Sequence, residues 1–203
     1  KVEIVSYMFF TVGDGDPSKA GDVVAAAAPI MKEAGASYVR GSVTLTGEMT
    51  GKGVVSSIWD SIDTYYAHRH LWMTDPGFVA VMEASGTVPL MTNVGQILDE
   101  RGDCDGAYTV NVFQTATDHS LEATQGVMDV VDATLVGNGV NGARAVRGLA
   151  AGQGTGTYLG IFYVDSLDAY AGAIQGLYAN ADFQAAAASS GLTVVERSFS
   201  RKA

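Results

Sequence analysis

The sequence predicts an α+β fold made of two tandem β-α-β-β-α-β repeats, with residues 1–101 as the first repeat, 107–203 as the second and 102–106 as the linker. Two observations lead to this prediction. Residues 60–86 recur without a gap as residues 165–191, with Asp, Ser, Phe and Gly at matching places. The order of strand-like and helix-like segments is also the same in both halves.

The first half alternates strand and helix patterns with clear helix starts. Residues 2–12 are rich in β-branched and aromatic side chains and predict a strand. Asp16 followed by Pro17 predicts a helix start, because the carboxylate can accept amide protons of the first turn. The other predicted elements are a helix at 18–34, strands at 37–46 and 53–59, helices starting at Asp60 or Ser61 and at Asp75, and a strand at 88–98 interrupted by Pro89 and Gly95.

The second half predicts strands at 108–115, 143–150 and 157–164 and a helix that starts at Asp118 or Ser120. The glycine-rich loop at 152–156 lacks a following Lys-Ser/Thr pair and opens into a strand, which argues against a phosphate site. Each half would leave one face of its sheet without helices. A second sheet can cover that face, so we predict that the two antiparallel sheets pack together.

The composition narrows the classes of partner. A chain of 203 residues with a formal charge of −10 repels nucleic acid and anionic membranes, so neither is expected. The longest apolar run, at 23–31, is far shorter than the roughly 20 residues of a membrane span. Cys104 is the single cysteine and cannot form an internal disulfide. These features do not fix the compartment, and the cytoplasm is our working expectation.

Three short motifs carry a family resemblance: Trp59-Asp60-Ser61, Tyr65-Tyr66-Ala67-His68 and Asp75-Pro76-Gly77-Phe78. With the strand order, they make the chain resemble the dimeric α+β barrel superfamily, and within it the antibiotic biosynthesis monooxygenase-like proteins. The resemblance implies two ferredoxin-like halves that form an intramolecular dimeric α+β barrel. It also implies a small-molecule ligand between sheet and helices, chemistry without a cofactor, and a chain that can form homo-oligomers.

The two copies of the second helix differ at one place. A helix advances about 100° per residue, which puts Arg69 in the stripe that faces the sheet, where the second copy has Ile174. His68 and His70 lie at the edges of that stripe. In one interpretation the helix breaks near His68 or Arg69 extends to solvent, and this segment is a solvated turn. In the other, Arg69 binds a ligand oxygen and His68 or His70 transfers a proton, so these three residues are the catalytic candidates.

Further side chains are candidates for ligand binding around the same pocket. Arg40 has the counterpart Arg147 and could instead form a structural ion pair, and the aromatic residues could instead belong to the core. His68 and His70 are two residues apart and point to different sides of a helix, so no metal site is expected. The ligand-binding candidates are Tyr7, Arg40, Trp59, Tyr65, Tyr66, Trp72 and Asn111.

By resemblance, the expected function is cofactor-independent oxidation or proton transfer on a small, mostly apolar carbonyl or phenol compound. The pocket is expected between the sheet and the helices of the first repeat. The alternative is a non-catalytic protein that binds a small molecule or serves in assembly.

Overall fold

The structure, a computed structural model, describes residues 2–203, which contain eight strands and six α-helices. In chain order the first half holds β1 (Ile4–Thr11), α1 (Ala20–Glu33), β2 (Tyr38–Thr44), β3 (Gly53–Trp59), α2 (Ile62–Met73), α3 (Pro76–Ser85) and β4 (Val88–Gly102). The second half holds β5 (Tyr108–Thr115), α4 (Leu121–Thr134), β6 (Gly142–Ala150), β7 (Tyr158–Val164), α5 (Leu167–Ala179), α6 (Ala181–Ser190) and β8 (Thr193–Lys202).

The chain divides into two compact units. The first comprises residues up to 96 together with 149–152 and 201–203, and the second comprises 97–148 and 153–200. The predicted boundaries at 101 and 107 stay a prediction, although β4 runs to Gly102 and the next strand begins at Tyr108.

The sheet of the first unit has the strand order β2-β3-β1-β4, with antiparallel neighbours. Successive side chains of a strand point to opposite faces, and the face with Ile4, Met8 and Phe10 packs in one core with α1 to α3. Ser61 and Asp75 begin α2 and α3 as predicted, since their side chains accept the backbone N–H of Thr64 and Phe78 at 3.0 and 2.9 Å.

Two details of the first unit differ from the prediction. Asp16 caps a short 3-10 turn at Pro17–Lys19, and the α-helix follows it from Ala20. Strand β4 is continuous through Pro89. Its pairing with β1 shifts register between Phe9, which pairs with Met91, and Phe10, which pairs with Pro89, so a bulge forms beside the proline. A bulge removes the need for the ladder N–H that proline lacks.

The sheet of the second unit has the strand order β6-β7-β5-β8. Helices α4, α5 and α6 cover one face, and their apolar side chains form a core with alternate residues of the strands. Ser120, Ser166 and Asn180 cap the three helices by accepting backbone N–H groups. Each half therefore has the predicted β-α-β-β-α-β order with one extra short helix, and the α+β fold class is confirmed.

None of the helices in residues 2–203 is long and apolar enough to cross a membrane.

Candidate ligand-binding cavity

Three of the predicted ligand-binding residues form an aromatic cluster in the first unit. Trp59, Tyr65 and Trp72 are 0 %, 1 % and 0 % exposed, and their ring centroids lie 5.6 to 5.8 Å apart. The Trp59 indole donates a hydrogen bond to Ser57 Oγ at 2.9 Å. These rings occupy the space between β3 and α2 where the sequence suggested a ligand.

The three predicted catalytic residues follow one another along α2. His68 Nδ1 lies 2.8 Å from the carbonyl oxygen of Thr64 one turn earlier, and His70 is exposed. Arg69 is partly buried, and its Nε is buried without a hydrogen-bond partner, as is Trp72 Nε1. Two buried donors on one helix face without an acceptor are costly, so the hypothesis of an oxygen ligand near Arg69 stays open as a prediction.

The other predicted residues of the first unit do not share this location. Tyr7 alternates with the core residues of β1 and therefore lies on the face of the sheet opposite the helices. Arg40 is 4 % exposed on the same opposite face, where its Nε donates to Ser42 Oγ at 3.3 Å. Tyr66 is 53 % exposed. The structure therefore separates Tyr7 and Arg40 from Trp59 by the thickness of the sheet.

Asn111 lies on β5 of the second unit and donates hydrogen bonds to Ser200 Oγ at 3.0 Å and Ser198 Oγ at 3.4 Å. Val112 and Gln114 of the same strand point to the other face of the sheet, towards the helices. Asn111 therefore forms part of a polar cluster on the opposite face of the sheet.

The second unit contains a cavity of about 190 Å³ between its sheet and α4, α5 and α6. An apolar cavity of roughly 150 Å³ is large enough for benzene, so this one can hold a compact ring compound with a substituent. Most of the wall is apolar. Its apolar side chains include Val112, Met128, Phe162, Ile174, Leu177 and Phe183.

Two of the three positions of the aromatic cluster carry smaller side chains in the second unit. Leu177 occupies the place in α5 that Trp72 occupies in α2, counted from the first residue of each helix. The other replacements go in both directions. Val164 for Trp59, Gly160 for Val55 and Ala187 for Met82 are smaller, whereas Phe162 for Ser57 and Tyr158 for Gly53 are larger. Sequence reasoning compared the charges of the two copies and missed this signal, which lies in side-chain volume.

One buried polar group in the cavity wall has no partner. The hydroxyl of Tyr170 is buried and makes no hydrogen bond within the part of the chain that the structure describes, and burial raises the pKa of this phenol to about 12. Arg197, an exposed residue on the cavity wall, lowers that pKa in turn through its positive charge. The guanidinium of Arg197 donates to the hydroxyl of Tyr178.

A second polar pair connects the cavity to solvent. Tyr158 lines the cavity and is 7 % exposed, and its hydroxyl lies 2.9 Å from Nδ1 of His119. The two rings stack with centroids 5.6 Å apart. His119 is exposed, so a proton that reaches it can leave to water. The residues are 39 positions apart in the sequence, so only the folded chain brings them together.

Comparisons with known proteins identify the fold. No family model and no curated protein matches the chain. Solved structures do match along its full length. A proposed monooxygenase from Lactobacillus acidophilus NCFM aligns with a TM-score of 0.63 and 10 % identity, covering 100 % of this chain and 94 % of the other. The chain shares the α+β fold of this structure.

Solved structures of proteins with other described activities also align with the chain. A proposed chlorite dismutase, TA0507, aligns with a TM-score of 0.59 and 10 % identity over 100 % of this chain and 95 % of that one. An anthrone oxidase-like protein aligns with a TM-score of 0.52 and 14 % identity over 99 % and 91 %. At such identities the likeness shows the fold alone, and the chemistry has to be argued from the site.

Proposed function

We propose that the chain is a small-molecule enzyme that binds a compact, mostly apolar phenol or enolisable carbonyl compound in the cavity of its second unit and removes a proton from it. The observation that carries this proposal is an apolar cavity with the buried, unpartnered hydroxyl of Tyr170 on its wall. The names of the aligned structures, a proposed monooxygenase and an anthrone oxidase-like protein, support an enzyme.

The proposed chemistry uses two tyrosines in different roles. The Tyr170 hydroxyl donates a hydrogen bond to the ligand's oxygen and stabilises the charge that develops on it. The Tyr158 oxygen takes the substrate proton while its own proton passes to His119 Nδ1, 2.9 Å away. Because the ligand's surroundings are apolar, both interactions are stronger than in water.

A second location follows from the sequence. Arg69 Nε and Trp72 Nε1 are buried donors without an acceptor, which favours a ligand oxygen beside α2, with His68 or His70 as the base. This hypothesis keeps the proposed reaction and moves it to the first unit. The alternative is a non-catalytic binding or assembly protein, in which none of His68, His70 and His119 transfers a proton.

The proposed function is tested with 1-phenylpropan-2-one as the probe. Its acidic C–H groups exchange for deuterium in D2O, and NMR measures both that exchange and binding. We expect the wild-type chain to bind the probe and accelerate exchange. We expect His119→Gln to lower the exchange rate by about 100-fold, the usual contribution of a general base, while binding is kept.

Two matched controls locate the site. Ala187→Met places a thioether in the cavity and should abolish binding, whereas Ala188→Met changes the adjacent exposed residue and should not. If His68→Gln abolishes exchange and His119→Gln does not, the active site is in the first unit. Binding without any accelerated exchange would leave a non-catalytic binding protein.

A further inference from the structure

The positive charge of Arg197 lies unneutralised beside the cavity. Its guanidinium makes no ion pair with any of the described residues 2–203. It contacts Tyr178, to whose hydroxyl it donates and over whose ring it lies at 5.9 Å. The whole chain carries a formal charge of −10. In so acidic a protein, an arginine on a cavity wall without a carboxylate partner is a cation available to a ligand.

Arg197 and Tyr170 act on the same region of the wall. Both residues line the cavity, and the charge of Arg197 is felt at the buried hydroxyl of Tyr170. The guanidinium donates one N–H to Tyr178, and its other N–H groups can donate to a ligand. The Tyr170 hydroxyl adds a donor from the interior.

The acidic groups nearby define where an anion can lie. Asp118 also lines the cavity, and hydrogen bonds from Ser120 hold its pKa below the usual value, so its carboxylate is charged at neutral pH. Glu196 precedes Arg197 on β8 and is exposed. A negatively charged ligand is therefore repelled by Asp118 and is attracted to the side of the cavity that holds Arg197.

We infer that the ligand of this cavity is a small apolar anion, a phenolate or a carboxylate, whose charged oxygen accepts hydrogen bonds from Arg197 and Tyr170. The inference rests on the proposed function and names the form that the cavity holds most tightly, which is the anion left when the proton has been removed or a compound that is already ionised. The apolar body of the ligand lies against Phe162, Ile174 and Leu177.

The test uses 4-nitrophenol, whose ionised form has its own visible absorption, and nitrobenzene as a neutral probe of similar shape. Benzoate is the carboxylate probe. We expect the bound 4-nitrophenol to ionise at a lower pH than the free compound. Arg197→Gln should weaken binding of the phenolate and of benzoate by about tenfold, as for loss of a charged hydrogen bond, and leave nitrobenzene unaffected.

Further variants separate the possible results. Arg197→Lys keeps the charge and should restore part of the affinity, and Tyr170→Phe should also raise the pH at which bound 4-nitrophenol ionises. If nitrobenzene binds and Arg197→Gln changes neither anion's affinity, this inference is wrong while the proposed cavity stands. If no probe binds to the wild-type chain, the proposed function itself is wrong. Equal loss of all probes in Arg197→Gln would also contradict an anion site.

Discussion

Tyr65 and Tyr170 show how one residue type at matched positions acquires two environments. Tyr65 packs against Trp59 and Trp72 with its ring enclosed by indoles. Tyr170 lies against Phe162 at a centroid distance of 5.7 Å and borders the cavity with a hydroxyl that has no partner. A buried hydroxyl without a hydrogen bond costs stability, which a ligand oxygen can recover.

The buried phenol of Tyr170 predicts a dependence of stability on alkaline pH. Its pKa is raised from 10.0 to about 12, so the folded state holds the proton more tightly than the unfolded state. Its contribution to stability is fully present below pH 10 and is lost as the pH rises towards 12. We expect the unfolding free energy of the wild type to fall more steeply across this window than that of Tyr170→Phe.

Urea unfolding at several alkaline pH values measures this difference. Equal slopes for the two proteins would show that the hydroxyl of Tyr170 is solvated in the folded chain.

At the scale of elements, α6 forms one wall of the cavity, and one side chain caps its N-terminus. The side-chain oxygen of Asn180 accepts the backbone N–H of Asp182 at 2.9 Å and of Phe183 at 3.0 Å. Phe183, Ala187 and Ser190 of this helix line the cavity. The start of α6 therefore positions part of the candidate site.

Asn180→Ala should lower the free energy of unfolding by about 1 kcal/mol and also weaken binding of 4-nitrophenol, because the first turn of α6 carries Phe183. Asp75→Ala is the matched control, since Asp75 caps α3 at the equivalent place in the first unit. We expect a similar loss of stability and unchanged binding there. Denaturant unfolding and calorimetric titration measure the two effects, and equal weakening of binding in both variants would contradict the position of the site.

At the scale of the whole molecule, two halves with one order of elements have differently filled cores. In the first unit Trp59, Trp72 and Phe78 are buried at 0 to 1 % exposure, and the second unit has a cavity of about 190 Å³. Topology is thus compatible with either set of side chains, and we expect the volumes at Trp72 and Leu177 to affect the space between sheet and helices in each unit.

Exchanging the side chains between units tests this explanation. Leu177→Trp should fill the cavity and abolish binding of 4-nitrophenol. Trp72→Leu should destabilise the chain by roughly 2 to 4 kcal/mol, because a large buried side chain is truncated. Unfolding curves and probe titrations of both variants, compared with the wild type, measure these effects. Binding retained in Leu177→Trp would show that the probe occupies another site.

The sequence by itself determined the local features of this protein. The helix caps at Ser61, Asp75 and Ser120 follow from side chains that accept backbone N–H groups within a few residues, and the α+β class follows from the order of strand-like and helix-like segments. The matched copies of the second helix predict a stripe that faces the sheet, and within it Tyr65 and Trp72 are buried, whereas Ile62 is 40 % exposed.

Only the tertiary structure decided which side chains share a site. Alternation along a strand put Tyr7, Arg40 and Asn111 on the face opposite the helices, a choice that depends on which face the helices cover. The pairing of Tyr158 with His119 joins residues from distant parts of the chain. The cavity in the second unit arises from the combined volumes of residues on several elements, and packing is a property of the assembled core that no single segment contains.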